Sequence, residues 1–409
     1  MELYRRENYL KKIRGFYHAA DIIKVITGVR RCGKSSLMQM VAEELRAGGT
    51  AEAQIIFLNL DSRAYRKIKT HDQLDELIAS FPKSEGITYL FIDEIQNVKD
   101  FEEVVNAYRE DGGYSIFITG SNSYLLSGEL VTKLTGRYVE LEIFPLTFDE
   151  YLGMKAFYNK PVDANLSIEL NRFILEGGFP RTVLLDDLAD KRSYTQSVVN
   201  EIFEKDIRRR AKIKDREAFE AVRRFIINNF GATTSLSSLH EALVKNGIRV
   251  SRATVSKYIS ILVEAKILYE CDRFDMKSKR ALKGEKKYYL SDLSFYFCDN
   301  TDNRVNFGPV LENITYFYAK SRGYSVCVGR IGTLECDFIL RSYDGEYVYL
   351  QVAYTIAQSR ETEDREYRVL EKIKDNYLKY LLTTDYLLQK RSGIRHVNLM
   401  DFMKTGSEF

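Results

Sequence analysis

The chain has no tryptophan, only five prolines in 409 residues, and few cysteines or histidines. Cys32, Cys271, Cys298, Cys327 and Cys336 show no C-x-x-C spacing, so the sequence writes neither a disulfide framework nor a thiolate metal site. His18, His71, His240 and His396 are equally scattered and give no zinc pattern. No apolar run approaches the ~18 residues of a bilayer span. The start, Met1-Glu2-Leu3-Tyr4-Arg5-Arg6, lacks the apolar segment of a secretion signal. No membrane partner is expected, and the cytoplasm is the expected location. An excess of one charge is also missing. A net charge of +3 does not imply nucleic acid, so a basic partner site must come from local clustering.

What is present is a globular composition, 45% hydrophobic and 29% charged. The length exceeds one ordinary core, so about two to four domains are expected.

The strongest local signal is Gly28-Val29-Arg30-Arg31-Cys32-Gly33-Lys34-Ser35, between the apolar run Ile22–Ile26 and the helix-like Ser36-Leu37-Met38-Gln39-Met40-Val41. This is G-x-x-x-x-G-K-[ST] in the strand–loop–helix setting that the motif requires. Gly28 and Gly33 let the backbone turn so that successive N–H groups point at a phosphate. The helix from about Lys34 adds unpaired N-terminal donors. Lys34 is suited to the β- and γ-phosphates of ATP, and the Ser35 hydroxyl to Mg²⁺. The loop from Gly28 to Ser36 is therefore the expected nucleotide cradle.

Residues Gln54 to Asp61 read as a buried strand, and Tyr89-Leu90-Phe91-Ile92-Asp93-Glu94-Ile95 ends a second one in two carboxylates. Parallel sheets bury both faces and bind ligands at the carboxyl ends of their strands. Asp93 is then placed to hold Mg²⁺, directly or through water, and Glu94 to polarise the attacking water. A further strand, Tyr114–Thr119, leads to Ser121 and Asn122, which either reach the γ-phosphate or lytic water or cap the next helix. Val139–Phe144 completes an alternating β/α pattern, hence a parallel sheet with right-handed crossovers.

Several of these segments occur in a characteristic order: Ile26 to Ser35, the apolar run into Asp93-Glu94-Ile95-Gln96, Thr119-Gly120-Ser121, Leu134-Thr135-Gly136-Arg137, and Pro145-Leu146-Thr147-Phe148. In this the chain resembles the prokaryotic AAA-superfamily ATPases that carry a C-terminal domain of unknown function. The resemblance implies that Asp93 and Glu94 form the second nucleotide motif and that Ser121 and Asn122 sit at the sensor-one position. It also makes Arg137 a candidate arginine finger, a group often supplied by a neighbouring subunit. A second copy of the chain is accordingly a candidate partner, although a finger acting within one chain stays open.

Residues 149 to 215 read as mainly helical, broken at Gly177-Gly178-Phe179-Pro180, with a charged run containing Arg208-Arg209-Arg210. Three helical patterns follow, around Phe219–Ile226, Ser235–Leu243 and Ser251–Leu262, and then two strands joined by a basic turn. That order is a winged helix-turn-helix. In its third helix Arg252, Thr254, Ser256 and Lys257 are polar, while Val255, Ile259 and Leu262 face inward. The turn carries Lys277, Lys279, Arg280, Lys283 and Lys286 against Glu285. Arg252, Lys257, Lys279 and Arg280 are the candidate contacts to double-stranded DNA. The competing reading is a winged helix used for protein contact.

Further on, Glu312 lies in a helical pattern, and Asp337 in a strand before Tyr347–Ala353. A helical Glu, a strand Asp and an E-x-K on the next strand resemble the restriction-endonuclease-like fold, where the carboxylates hold Mg²⁺ and the lysine helps the attacking water. Here Gln351-Val352-Ala353 replaces the last element. One metal ligand and the only expected cation are missing, so hydrolysis is not expected.

The expected plan is α/β: 1–150, an AAA-type P-loop ATPase core; 151–216, a helical lid or connector; 217–292, a winged helix; 293–409, a degenerate restriction-endonuclease-like domain. The expected function is Mg²⁺-dependent ATP binding and slow hydrolysis coupled to DNA association. Two other classes stay open. One is a nucleotide-gated protein-interaction or signalling switch, and the other a nuclease using Glu312 and Asp337.

Overall fold

Strand β1 (Ile23–Thr27) is buried along its whole length, as is β3 (Thr88–Asp93), and both are runs of apolar, largely β-branched or aromatic side chains. They are inner strands of a five-stranded sheet of order β2-β3-β4-β1-β5 whose neighbours are all parallel. The others are β2 (Ile55–Asn59), β4 (Tyr114–Thr119) and β5 (Tyr138–Glu142). Helices α1 (Glu7–Arg14), α2 (Lys34–Ala47), α3 (His71–Ala79) and α4 (Phe101–Asp111) accompany the strands. Apolar side chains from β1 to β4, α3 and α4 build one core, including Leu58, Leu74, Leu90, Ile92 and Phe101. Phe57, Phe91 and Phe117 stack across three neighbouring strands at 5.6 and 4.7 Å. A sheet covered in this way needs no alternation of polar residues, which is why the strands read as continuous apolar runs.

This computed structural model describes residues 2–82, 85–120, 136–208, 213–278, 280–299 and 305–409. The chain divides into two units, one running to Phe144 and including Glu264–Lys266, the other made of Pro145–Val263 and Ile267–Phe409.

A lysine is among the polar side chains buried inside the first sheet. Lys24, on β1, is fully buried, and its ammonium donates to Ala19 O (2.7 Å), Ile22 O (3.0 Å) and Ser115 Oγ (2.7 Å). Burial works against the charge, and Asp21 favours it. Burial is the larger effect and brings the pKa down to about 7. The unfolded chain then binds a proton that the folded one lacks between about pH 7 and the ordinary lysine range near 10. Stability must rise with pH through that window and fall as pH drops toward 7. Urea unfolding of wild type and Lys24→Met at pH 7, 8 and 9 is expected to show the wild type gaining on the variant by about 1 kcal/mol per pH unit. A pH-independent difference would show that Lys24 keeps its proton.

The second unit begins with helices α5 (Phe148–Phe157), α6 (Leu166–Glu176) and α7 (Leu188–Glu201), the break before α7 falling at Gly177–Pro180 as the sequence suggests. Next come α8 (Arg216–Asn228), the short β6 (Thr234–Ser235), α9 (Leu236–Lys245) and α10 (Arg252–Glu264). Strand β7 (Leu268–Asp275) then pairs antiparallel with β8 (Arg280–Leu290). Val255, Tyr258, Ile259, Ile261 and Leu262 bury one face of α10, leaving Arg252, Ser256 and Lys257 exposed. The other edge of β7 is taken by β9 (Ser325–Ile331), in parallel, with Arg273 opposite Val328. The hairpin and the C-terminal strands are therefore one nine-stranded sheet, order β13-β14-β12-β11-β10-β9-β7-β8-β6.

This corrects the expected border at 292/293, which separates strands of a single sheet. An open β7 edge would leave a row of backbone donors and acceptors unpaired, and β9 satisfies them. Strand periodicity names the strands but not their partners. Further elements are α11 (Phe307–Arg322), β10 (Leu334–Arg341), β11 (Tyr347–Val352), α12 (Arg360–Lys372), β12 (Leu378–Thr383), β13 (Lys390–Arg391), β14 (Ile394–Asn398) and α13 (Leu399–Lys404), beside short helical segments at Pro180–Val183, Ile202–Arg208 and Ser294–Asp299. Helix α11 is tied to β8 by Asn313, whose amide exchanges two hydrogen bonds with the Leu290 backbone at 2.8 and 2.9 Å.

Candidate nucleotide site

The loop after β1 has the backbone that its glycines foretell. Gly28, Arg31 and Gly33 have φ of 143°, 66° and 107°. A Cβ on Gly28 would stand 2.2 Å from Ile143 O, so the position admits only glycine without movement of the end of β5. Gly33 precedes the first residue of α2 and offers no capping side chain. The first N–H groups of α2 thus keep their capacity for an anion.

Lys34 is 5% exposed, and its ammonium donates to Gly28 O (3.0 Å) and Val29 O (3.1 Å). An ammonium has three N–H bonds, so one donor is left for a phosphate oxygen. Ser35 and Ser36 are half-buried on the first turn of α2, and Arg31 is exposed on the loop. Val29 and Cys32 are buried at 1% and 0%, and the Cys32 thiol points to Ile143 O at 3.6 Å. Burial raises its pKa, so Cys32 is an inert packing group and its offering to a ligand is its backbone N–H.

Asp93 ends β3, two strands from β1, and is 1% exposed. The Thr119 hydroxyl at the end of the intervening β4 donates to its Oδ1, and the same Oγ1 accepts from Glu94 N at 3.1 Å. Thr119 is thereby the bracket that orients both acids. The sequence marks it only as the residue before Gly120. Glu94 itself has φ of 58°, a left-handed conformation that carries its side chain out of the strand direction. Gln96 Nε2 donates to Glu94 Oε2 at 2.5 Å. The donors that would meet Mg²⁺, a serine hydroxyl and a carboxylate, are hard oxygens, as that ion prefers. The residues present fit ATP·Mg²⁺ on chemistry and on the cradle geometry of Gly28.

Arg6 belongs to the basic stretch at the start of the chain, where a solvent-facing side chain is the default. It is instead 4% exposed, and its Nη1 donates to Cys32 O (3.1 Å) and Phe144 O (2.9 Å) while the guanidinium lies 4.5 Å from the Tyr9 ring centroid. Tyr9 is itself buried and accepts from Phe144 N at 3.2 Å. The start of α1 therefore braces the phosphate loop against the end of β5. Replacing a buried charged donor costs ~1.5–3 kcal/mol. Arg6→Met is thus expected to weaken ATP binding about tenfold with a smaller change in kcat. Arg6→Lys, which reaches one carbonyl more easily than two, should recover part of it. Equal ATP affinity in all three proteins would refute the brace.

Ser121 and Asn122 lie outside the described residues, as does Lys279. Arg137 is placed where its own site is out of reach. Its carbonyl accepts from Ile23 N at 2.9 Å, at the amino end of β1, whereas the loop leaves the carboxyl end. Tyr138 is in register with Ile23, so Arg137 trails Gly28 by six residues, roughly 20 Å of strand. Its guanidinium is 48% exposed and lies 3.6 Å from Glu110. Within one chain Arg137 thus lies at the opposite end of the strands from the loop, beside Glu110.

In the second unit the structure brings Glu312, on α11, and Asp337, on β10, toward Gln351 on β11. Gln351 Oε1 accepts from Asp337 N at 3.4 Å, and Gln351 Nε2 donates to Glu366 at 3.0 Å. The expectation that this place has no cation is corrected. Lys287 of β8 stands there, 5% exposed, with its ammonium 2.9 Å from Glu312 and 2.9 Å from Glu335. The sequence hides this because Lys287 reads as the start of the strand after the basic turn, with nothing local to tie it to Glu312 or Glu335. Lys286 beside it pairs with Glu270 at 2.5 Å and Asp272 at 3.5 Å. Among the described residues no group of three or more His, Cys, Asp or Glu side chains is arranged to hold a metal ion. Among them, too, no helix is long and apolar enough to cross a membrane.

A parallel sheet with a glycine-rich loop after its first strand and a buried acid two strands away defines a P-loop protein of the AAA type. Residues 20–152 match the AAA domain family, and residues 167–298 match a domain of unknown function (DUF8612). The chain belongs to the family of AAA-type ATPases that carry a C-terminal domain of unknown function. An uncharacterised protein of Haemophilus influenzae is 36% identical over 401 residues, 97% of this chain and 98% of that one. A second, from Methanocaldococcus jannaschii, is 30% identical over 364 residues, 86% of this chain and 79% of its own. Among solved structures, the Walker-type ATPase of Pyrococcus abyssi is similar with a TM-score of 0.53 at 16% identity, over 72% of this chain and 95% of that one. The likeness is one of fold.

Proposed function

We propose that the protein binds ATP·Mg²⁺ and hydrolyses it, and that nucleotide state governs its association with double-stranded DNA. The observation that carries the first half is that the Gly28–Ser35 loop leaves the carboxyl end of β1 while the acids Asp93 and Glu94 leave that of β3, two strands away, bracketed by Thr119 of the intervening β4. The loop amides and Lys34 would hold the phosphates, and Ser35 and Asp93 the Mg²⁺, which supplies charge neutralisation on the transferred group. Glu94 would take the proton of the attacking water, and Arg137 of a neighbouring copy would stabilise the charge that develops. Ser121 and Asn122 belong to this proposal as sensors of the γ-phosphate.

The second half is supported by the free polar face of α10, where Arg252, Ser256 and Lys257 are exposed, and by exposed Lys277 and Arg280 at the hairpin turn. In this reading α8, α9, α10 and the β7–β8 hairpin act as a winged helix with α10 in the recognition position. The C-terminal sheet is a restriction-endonuclease-like fold without hydrolytic activity.

A nucleotide-gated protein switch is the second reading. It is favoured by Lys286 and Lys287, whose charges are spent on Glu270, Asp272, Glu312 and Glu335 rather than offered to a phosphate backbone. Steady-state ATP turnover with and without duplex DNA at low salt separates the two. Stimulation by DNA that weakens with salt and is lost in Arg252→Ala/Lys257→Ala supports coupling. Turnover indifferent to DNA gives the switch reading.

A further inference from the structure

The carboxylates of the C-terminal sheet surround a positive charge that belongs to the chain. Lys287 Nζ lies 2.9 Å from Glu312 Oε2 and 2.9 Å from Glu335 Oε1, and the Tyr289 hydroxyl donates to the same Glu312 oxygen at 2.9 Å. The other Glu335 oxygen accepts from Arg273 Nη2 at 2.8 Å, and Arg273 also pairs with Glu285. Asp337 is buried, and its Oδ2 accepts from Val352 N at 2.8 Å. Glu366, on α12, takes Gln351 Nε2 on one oxygen and Arg365 on the other. Both oxygens of Glu335 and one each of Glu312 and Asp337 are thus engaged by an ammonium, a guanidinium, a phenol and a backbone amide. The middle of the centre is buried, with Lys287 5% and Asp337 7% exposed, while Glu335 at its rim is 31% exposed.

We infer that Lys287 is the resident cation of this centre: it fills the position of a divalent metal ion among Glu312, Glu335 and Asp337, and so closes the C-terminal sheet to metal and substrate. Two chemical features support the assignment. The ammonium is a single charge with directed donors, and it meets carboxylates from two different elements, α11 and β10, as a bridging metal ion would. Those carboxylates also hold the ammonium in its charged form. Glu312, Asp337 and Glu335 outweigh the desolvation of Lys287, raising its pKa above the usual lysine range. The consequence reaches the hairpin. Because Lys287 is on β8, its charge pins the β7–β8 hairpin to α11 and β10, so the hairpin turn is carried on a rigid base.

The test is Mn²⁺ binding to the full chain, followed by electron paramagnetic resonance with nucleotide absent. Lys287→Ala is expected to bind Mn²⁺ about tenfold or more tighter than wild type at this centre, with the gain abolished in Lys287→Ala/Glu312→Gln. A folded Lys287→Ala with no gain overturns the inference. So does a wild-type protein that binds Mn²⁺ in a way lost with Asp337→Asn, or that nicks plasmid in Mn²⁺. Should Lys287→Ala fail to fold, amidination of wild-type lysines decides. Lys287 is expected to be among the least reactive, with no change in about 10 mM Mn²⁺, roughly tenfold above the weakest extracellular-type Ca²⁺ sites. Labelling of Lys287 that rises severalfold with Mn²⁺ would mean that the metal displaces it, and the inference fails.

Discussion

Glu94→Gln is expected to lower steady-state ATP turnover by ~10²-fold or more, the usual contribution of a positioned general base, while leaving ATP affinity within about threefold of wild type. The asymmetry follows from where the side chain sits. Glu94 leaves β3 in a left-handed conformation with its amide on Thr119 Oγ1, so the glutamine variant keeps the backbone and the bracket on Asp93. It loses only the capacity to accept a proton. Turnover and equilibrium nucleotide binding on the same preparation decide the matter. Unchanged turnover would remove Glu94 from the chemistry. A parallel loss of affinity would make it a binding residue. Lys34→Ala should give the opposite split, weakening binding, because its ammonium sits over the loop carbonyls of Gly28 and Val29.

Gly28→Ala is expected to abolish measurable ATP binding and to destabilise the fold by ~2 kcal/mol or more, from a strained backbone and an overpacked site. The added methyl would lie 2.2 Å from Ile143 O and 2.9 Å from the Cys32 sulfur, and φ there is +143°. Neither neighbour yields easily. Ile143 N is bonded to Thr27 O at 2.9 Å, and Cys32 O is held by Arg6. Gly49→Ala supplies the control. Its φ is also positive, at +93°, but a methyl there meets nothing within 4 Å. It should cost ~1 kcal/mol of backbone strain and leave ATP binding intact. Chemical unfolding and nucleotide titration of the pair separate conformational strain from collision. Equal effects would show that the close approach to Ile143 is not what fixes the loop.

Much of the nucleotide site was legible in the chain because its parts are local. A strand, a glycine-rich turn and a helix start are contiguous from Ile23 to Ala47, and the residue types are dictated by backbone conformation and by charge at the loop itself. The apolar runs that end in Asp93 and Thr119 likewise declare inner parallel strands, since both of their faces must be buried. The fold of the first unit follows from that pattern and the spacing between strands.

What the sequence could not contain is which distant groups meet. Arg6 reads as one more cation on a charged helix. Only the packing of α1 against the ends of the loop and β5 makes it a buried clamp on Cys32 and Phe144. Arg137 sits in a motif that suggests a finger, yet strand register alone sets which end of the sheet it occupies, and that end is the far one from its own loop. Lys287 reads as the start of a strand, and its partners Glu312 and Glu335 are 25 and 48 positions away. Their meeting depends on β7 pairing with β9, a choice that strand periodicity leaves open because any unpaired edge presents the same donors and acceptors. By itself the sequence determined a glycine-rich loop between a strand and a helix, two acids at the end of an apolar strand and the order of the elements, since each rests on contiguous residues. The tertiary structure decided where single charges end up, because an ion pair is fixed by distance in space and the chain records only distance along itself.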